Sequence, residues 1–220
     1  MIAKELISPN IPALFVTQTG RDAFYLLGEH HIKHLPVVGE GKLLGVISEE
    51  DIFNHKIYEP IGKYDFSLIR RFFVRENEHL FEIIRIMADN RLTVIPVVDE
   101  AGKYLGLITQ ESILSSFSHT SSIAEPGATL VLEMHRRDYS LATISRVVEE
   151  EEMKVLGAYV SSTDDSEMLE LTIKVNRPDI TRLVAAFERH GYIVRQAFSD
   201  NDHESDFQDR YESFMNYLNI

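Results

Sequence analysis

The chain has no cysteine. Disulfides and thiolate chemistry are therefore both excluded. It also lacks any apolar run near the roughly 20 residues that a membrane-spanning helix needs. Its first residues, Met1-Ile2-Ala3-Lys4-Glu5, do not form the basic, apolar, small-residue pattern of a secretory leader. The expectation is a cytoplasmic protein with no membrane partner. Positive charge is scarce: 22 Lys and Arg stand against 35 Asp and Glu, a net charge of −13. A polyanion would be repelled, and Arg70-Arg71 beside Phe72-Phe73 is too small a basic-aromatic cluster to hold one. No nucleic-acid partner is expected. Catalytic signatures are missing as well, with no nucleophile elbow, phosphate-binding loop or paired-carboxylate constellation. The acidity concentrates at Glu149 to Glu152 and between Asp200 and Asp209, and reads as solvated surface.

What the chain does have is a repeat. Leu35-Pro36-Val37-Val38, a turn with Gly41, and Leu44-Gly45-Val46-Ile47-Ser48 lead to Asp51-Ile52. Ile95-Pro96-Val97-Val98, a turn with Gly102, and Leu105-Gly106-Leu107-Ile108-Thr109 lead to Ser112-Ile113. The prolines lie 60 residues apart and the last glycines 61, so the second turn holds one extra residue. Each copy reads as helix, strand, turn, strand, helix. Thr19 and Asp22 form a variant capping box before the stripe Ala23, Phe24, Leu26, Leu27. Neither copy closes a core alone, so the two must pack together and share a cleft. The connection 56–69 is too apolar for a free linker and is expected to pack along the module.

Ser115 to Ser122 is small and polar, and Pro126-Gly127 follows, which marks a domain boundary. Beyond it come a strand from Ala128, a helix over Leu141–Glu150 and strands over Val155–Ser161 and Glu167–Val175. A helix ending at Gly191 and a last strand complete the order β-α-β-β-α-β, the ferredoxin-like arrangement. The segment 200–220 is acidic, then amphipathic, and is expected to form a tail helix docked on its own chain or a second subunit.

The doubled Pro-Val-Val and Gly-Val-Ile-Ser-x-x-Asp-Ile runs resemble a tandem pair of CBS domains, with 1–58 as the first repeat and 59–120 as the second. Residues 127–199 are similar to an ACT domain in strand order. The combination resembles small regulatory proteins of the acetoin-utilisation type. The fold class implied is α/β (α+β): a CBS pair followed by a ferredoxin-like, ACT-like domain. The resemblance implies two clefts related by a pseudo-twofold, which take adenosine nucleotides or S-adenosylmethionine, and modules that pair as homodimers. No cofactor is required, and the nucleotide enters as a regulatory ligand.

By this resemblance, Ser48 and Asp51 would hold the ribose hydroxyls, though Ser-x-x-Asp at a helix start is also a capping box needing no ligand. Thr109 and Ser112 take the corresponding places in the second copy. Ser112 cannot clamp two hydroxyls with charge-assisted bonds, so that cleft is expected to be weak or empty. Pro36 and Pro96 would lie near the base, or would simply open strands. His34 and Thr93 lie close by, and His34 is a candidate for a base edge or a phosphate, with a polar strand entrance as the alternative. Arg91, Arg70, Arg71 and Lys33 are the candidate phosphate partners, and so acidic a chain favours AMP or S-adenosylmethionine over ATP. His30-His31-x-x-His34 reads as surface histidines rather than a metal cluster. Tyr139 stands where an amino-acid-binding ACT domain has glycine, which argues against that ligand. The reading is a non-enzymatic sensor with an unknown regulated partner. A ligand-free dimeric scaffold and an amino-acid sensor are the alternatives.

Overall fold

Short, locally encoded hairpins build the first half of the chain. The computed structural model describes residues 1–55, 57–67, 69 and 71–199. The expected tail helix and Arg70 lie outside the described residues. The chain divides into two units, Met1–Phe117 and one beginning at Ser118.

In the first repeat, β1 is Leu14–Phe15, α1 Gly20–Glu29, β2 His34–Gly39, β3 Lys42–Ser48 and α2 Glu49–Phe53. Helix α1 starts where the capping box predicts. The Thr19 hydroxyl accepts from the Asp22 N–H at 3.3 Å and the Asp22 carboxylate accepts from the Thr19 N–H at 2.8 Å. Ala23 and Leu27 on its apolar stripe are buried. Strands β2 and β3 pair antiparallel, with Leu35 opposite Ile47 and Pro36 opposite Val46. Both residues of the connecting turn, Glu40 and Gly41, have positive φ (49° and 77°). Such a turn matches the strand twist.

The second repeat repeats this order with β4 Val74–Arg75, α3 Leu80–Asp89, β5 Val94–Val98, β6 Tyr104–Thr109 and α4 Gln110–Ser118. Its turn is one residue longer, closed by the Asp99 N–H donating to the Lys103 carbonyl and the Gly102 N–H to the Asp99 carbonyl. The sequence pattern missed β1 and β4. Each is two residues long and pairs parallel with the strand after its helix, Leu14 with Val37 and Val74 with Val97. Two residues carry no readable period.

The two repeats exchange their leading segments. A 3₁₀ turn at Ala3–Glu5 sits on the second repeat, where the Ala3 and Lys4 N–H groups donate to the Glu78 and Glu76 carbonyls and the Ser8 N–H donates to the Leu107 carbonyl. Ala3 and Leu6 are buried there with Val74, Ile83 and Ile95. In return Ile61, Tyr64 and Ile69 of the connection are buried with Leu14, Leu27, Val37 and Ile47. The connection is thus core of the first repeat, and the nominal boundary at 58–59 cuts through shared packing.

Ser115–Ser122 is less open than its composition suggests. Helix α4 runs to Ser118, and a one-turn helix, α5, covers Ser121–Ala124. The second unit then follows the expected order: β7 Ala128–His135, α6 Leu141–Glu150, β8 Val155–Ser162, β9 Met168–Val175, α7 Thr181–Arg189 and β10 Ile193–Ser199. The sheet order is β10-β7-β9-β8, all antiparallel. This is the ferredoxin-like topology. Alternate residues Leu130, Leu132, Leu171 and Ile173 face Ile144, Val148, Leu183 and Phe187 of the helices. Gly127 enters this sheet so closely that an added Cβ would lie 1.9 Å from the Val175 carbonyl oxygen. Gly127→Ala is expected to cost at least about 1–3 kcal/mol, read as a lowered urea midpoint. An unchanged midpoint would mean that the backbone yields there freely.

Candidate functional site

Strand β3 hands the chain to α2 at Ser48, and that junction forms one wall of a cleft of about 370 Å³. The first repeat contributes His34, Val46, Ser48, Glu50, Asp51 and Asn54 to it, and the second contributes Phe72, Asn90 and Leu92. Ser48 extends (ψ 170°) to stop the strand, and its hydroxyl accepts from the Asp51 N–H at 3.2 Å. The Asp51 carboxylate folds back. Its Oδ2 accepts from the Ser48 N–H at 2.8 Å and from the Ser48 hydroxyl at 2.7 Å. Both contacts fall on one oxygen, so Oδ1 retains its acceptor capacity among the described residues.

His34 stands across from this carboxylate at the start of β2. Its Nδ1 accepts from the Thr93 N–H at 3.2 Å and lies 3.1 Å from the Thr93 hydroxyl, which itself accepts from the Lys33 N–H at 3.0 Å. Burial pushes the imidazole below its ordinary value of 6.5, against the opposing pull of Asp51 and Glu49, with Lys33 adding to the lowering. The ring therefore favours the neutral form. Its contribution to stability is full above pH 6.5 and is lost as pH falls through the lowered value.

The pseudo-symmetric cleft, about 430 Å³, is lined from the second repeat by Thr109, Glu111, Ser112 and Ser115. The first repeat adds Ser8, Asn10, Ile11, Glu29, His30 and His31. Here a neutral hydroxyl stands at the carboxylate's position, and its one proton is committed to the backbone. Ser112 Oγ accepts from the Thr109 N–H at 3.0 Å and donates to the Thr109 carbonyl at 2.9 Å. Thr109 Oγ1 in turn accepts from the Ser112 N–H at 2.9 Å.

The structure thus gathers Ser48, Asp51 and His34 in one cleft and Thr109 and Ser112 in the other. Thr93 acts behind His34. Pro36 and Pro96 are buried inside their strands and line neither cleft. Arg91 is exposed, in left-handed conformation (φ 53°) between the lining residues Asn90 and Leu92, and is not itself among them. Arg71 lines a separate groove with Phe73 and Arg75. Among the described lining residues the first cleft has two carboxylates and no Lys or Arg. Sequence reasoning missed Asn54, Phe72, Asn90 and Glu50. The signal for Asn90 was the repeat itself, since its counterpart 60 residues earlier is His30, which lines the other cleft.

The CBS domain family model matches this chain twice, over residues 3–57 and 65–119, together half of its length. The chain belongs to the CBS domain family. Among curated relatives, a homoserine O-acetyltransferase of Methanocorpusculum labreanum is 27% identical over 114 residues, covering 51% of this chain and 23% of that protein. An inosine-5'-monophosphate dehydrogenase of Thermoplasma acidophilum is 31% identical over 109 residues, covering 50% and 21%. This chain spans about a fifth of the length of each. Among solved structures, a CBS domain pair/ACT domain protein from Thermotoga maritima is 19% identical, with TM-score 0.47, covering 53% of this chain and 96% of that one. The CBS pair of protein MJ0100, in complex with 5-methylthioadenosine and S-adenosyl-L-methionine, is 26% identical, with TM-score 0.42, covering 54% and 96%. No helix among the described residues of this CBS protein is long and apolar enough to cross a membrane.

Proposed function

We propose that the first cleft of the CBS pair binds an adenosine-containing ligand and that the protein is a regulatory sensor without catalytic activity of its own. The observation that carries this reading is the contrast between the clefts. Asp51 offers a charged carboxylate oxygen that its helix cap leaves over, whereas the Ser112 hydroxyl is neutral and gives its only proton to the Thr109 carbonyl. A carboxylate can accept from two vicinal ribose hydroxyls at once, and the bonds are charge-assisted. The charge of the lining favours AMP or a sulfonium nucleoside such as S-adenosylmethionine over ATP, since Glu50 and Asp51 would repel a polyphosphate. Binding would act by favouring one packing of the repeats over another, which requires different affinity for the two states. The ferredoxin-like unit, ACT-like in strand order, then serves as a relay or dimerising element. Tyr139 packs against its core beside a 3₁₀ turn, where an amino-acid site would need an open glycine turn.

A second reading has its own support. The Ser48–Asp51 capping box is closed without any ligand, as a dimeric scaffold would have it. Thermal unfolding with AMP, ADP, ATP, S-adenosylmethionine, NAD and amino acids separates the two. A ligand at 100 times its Kd adds about 2.7 kcal/mol, which raises Tm visibly. A shift with AMP or S-adenosylmethionine is the expected result. No shift with any compound at millimolar concentration favours the scaffold, and a shift with an amino acid alone revives the amino-acid sensor.

A further inference from the structure

We propose that His34 is the specificity-determining donor of the first cleft, locked by Thr93 with its proton on Nε2 so that it reads an acceptor nitrogen on the base of the bound nucleoside. This rests on the adenosine reading above and adds the residue that discriminates among bases. The lock follows from hydrogen-bond inventory. A backbone N–H can only donate, so the Thr93 N–H at 3.2 Å requires an acceptor at His34 Nδ1. The Thr93 hydroxyl, 3.1 Å from the same nitrogen, is itself held by accepting from the Lys33 N–H. A neutral imidazole with Nδ1 as acceptor carries its proton on Nε2. The ring lines the cleft while Nδ1 is turned to Thr93, which leaves Nε2–H as the polar edge available to a ligand.

The pair exists in one cleft only. Sixty residues after His34 stands Val94, fully buried in the core, and sixty before Thr93 stands Lys33. The donor therefore falls in the same cleft as the Asp51 carboxylate, an arrangement the second repeat duplicates at neither position. A donor and an acceptor set apart suit a molecule with an acceptor nitrogen at one end and vicinal hydroxyls at the other. Adenine offers three such ring nitrogens, N1, N3 and N7. A base presenting N–H at the reading position would set two donors against each other in a half-buried site, which costs more than the bond itself gains.

The experiment is calorimetric titration of the full chain with adenosine and its 1-deaza, 3-deaza and 7-deaza analogues. It is run on the wild type, His34→Phe and His34→Gln, with ¹⁵N spectra of the histidine rings. In the wild type, one analogue should bind about 3- to 10-fold more weakly than adenosine, the worth of one neutral hydrogen bond. That gap should vanish in His34→Phe and partly return in His34→Gln, whose amide donates. The spectra should show His34 protonated on Nε2. A gap that persists in His34→Phe, no gap in the wild type, or a proton on Nδ1 overturns the proposal. If adenosine binds and Asp51→Ala weakens it while His34 shows no coupling, the sensor reading stands and this one fails. If no adenosine compound binds the wild type, both fail.

Discussion

Asp51→Ala should weaken binding of the adenosine ligand by about 100-fold, while Ser112→Ala should change it less than about threefold. The first figure follows from two charge-assisted hydrogen bonds to a ribose, together worth about 3 kcal/mol, with 1.4 kcal/mol for each factor of ten. The second follows from a hydroxyl already committed to the Thr109 carbonyl and N–H. Asp51→Ala also removes half of the capping box of α2, which costs about 1 kcal/mol of stability. Binding and unfolding must therefore be measured separately. Asp51→Asn separates the two effects, because its amide oxygen can still accept from the Ser48 N–H while the charge is gone. It should keep most of the stability and lose most of the affinity. Equal losses from Asp51→Ala and Ser112→Ala in isothermal titration would end the claim that the clefts differ. A loss in Asp51→Ala that merely tracks the fraction unfolded would return Asp51 to a capping role.

Leu6→Ala and Ile61→Ala should each cost about 2–5 kcal/mol, the range for truncating a buried aliphatic side chain, and each should loosen the repeat to which it does not belong in sequence. Leu6 is 3% exposed within the core of the second repeat, and Ile61 is fully buried in that of the first. Native-state hydrogen exchange resolves local openings of this kind. Leu6→Ala should raise exchange first in α3 and β5, and Ile61→Ala first in α1 and β2. If Leu6→Ala instead loosens β2 and β3 before β5, the exchange of leading segments does not hold the module together.

The sequence made the hairpins legible because their signals are local. A proline-led apolar run, a glycine turn and a second apolar run lie within about fifteen residues, and the copy 60 residues on removes ambiguity. Helix starts were equally local, since Thr19 and Ser48 are read with the residue three places on. The parts that stayed hidden are non-local. Nothing near Ala3 points to Glu78, and nothing near His34 points to Thr93, 59 residues away. The candidate site divided along the same line. Ser48 and Asp51 share one helix start and were found together, whereas Phe72 and Asn90 reach the same cleft from the other repeat. The resemblance puts Pro36 and Pro96 near the base and a phosphate's need for a cation points to Arg91, and neither argument settles which side chains face a cleft.

The exchange of leading segments also sets an order of events during synthesis. Ser8 finds its partner carbonyl at Leu107, and Ala3 finds Glu78. These leading residues are therefore among the last of this module to be placed, after nearly a hundred that follow them in the chain. Until then the nascent chain carries an apolar leading segment without its seat. Contacts of such sequence separation slow folding. The interval before they close is the window in which a nascent copy is open to pairing with the same segment of a neighbouring chain.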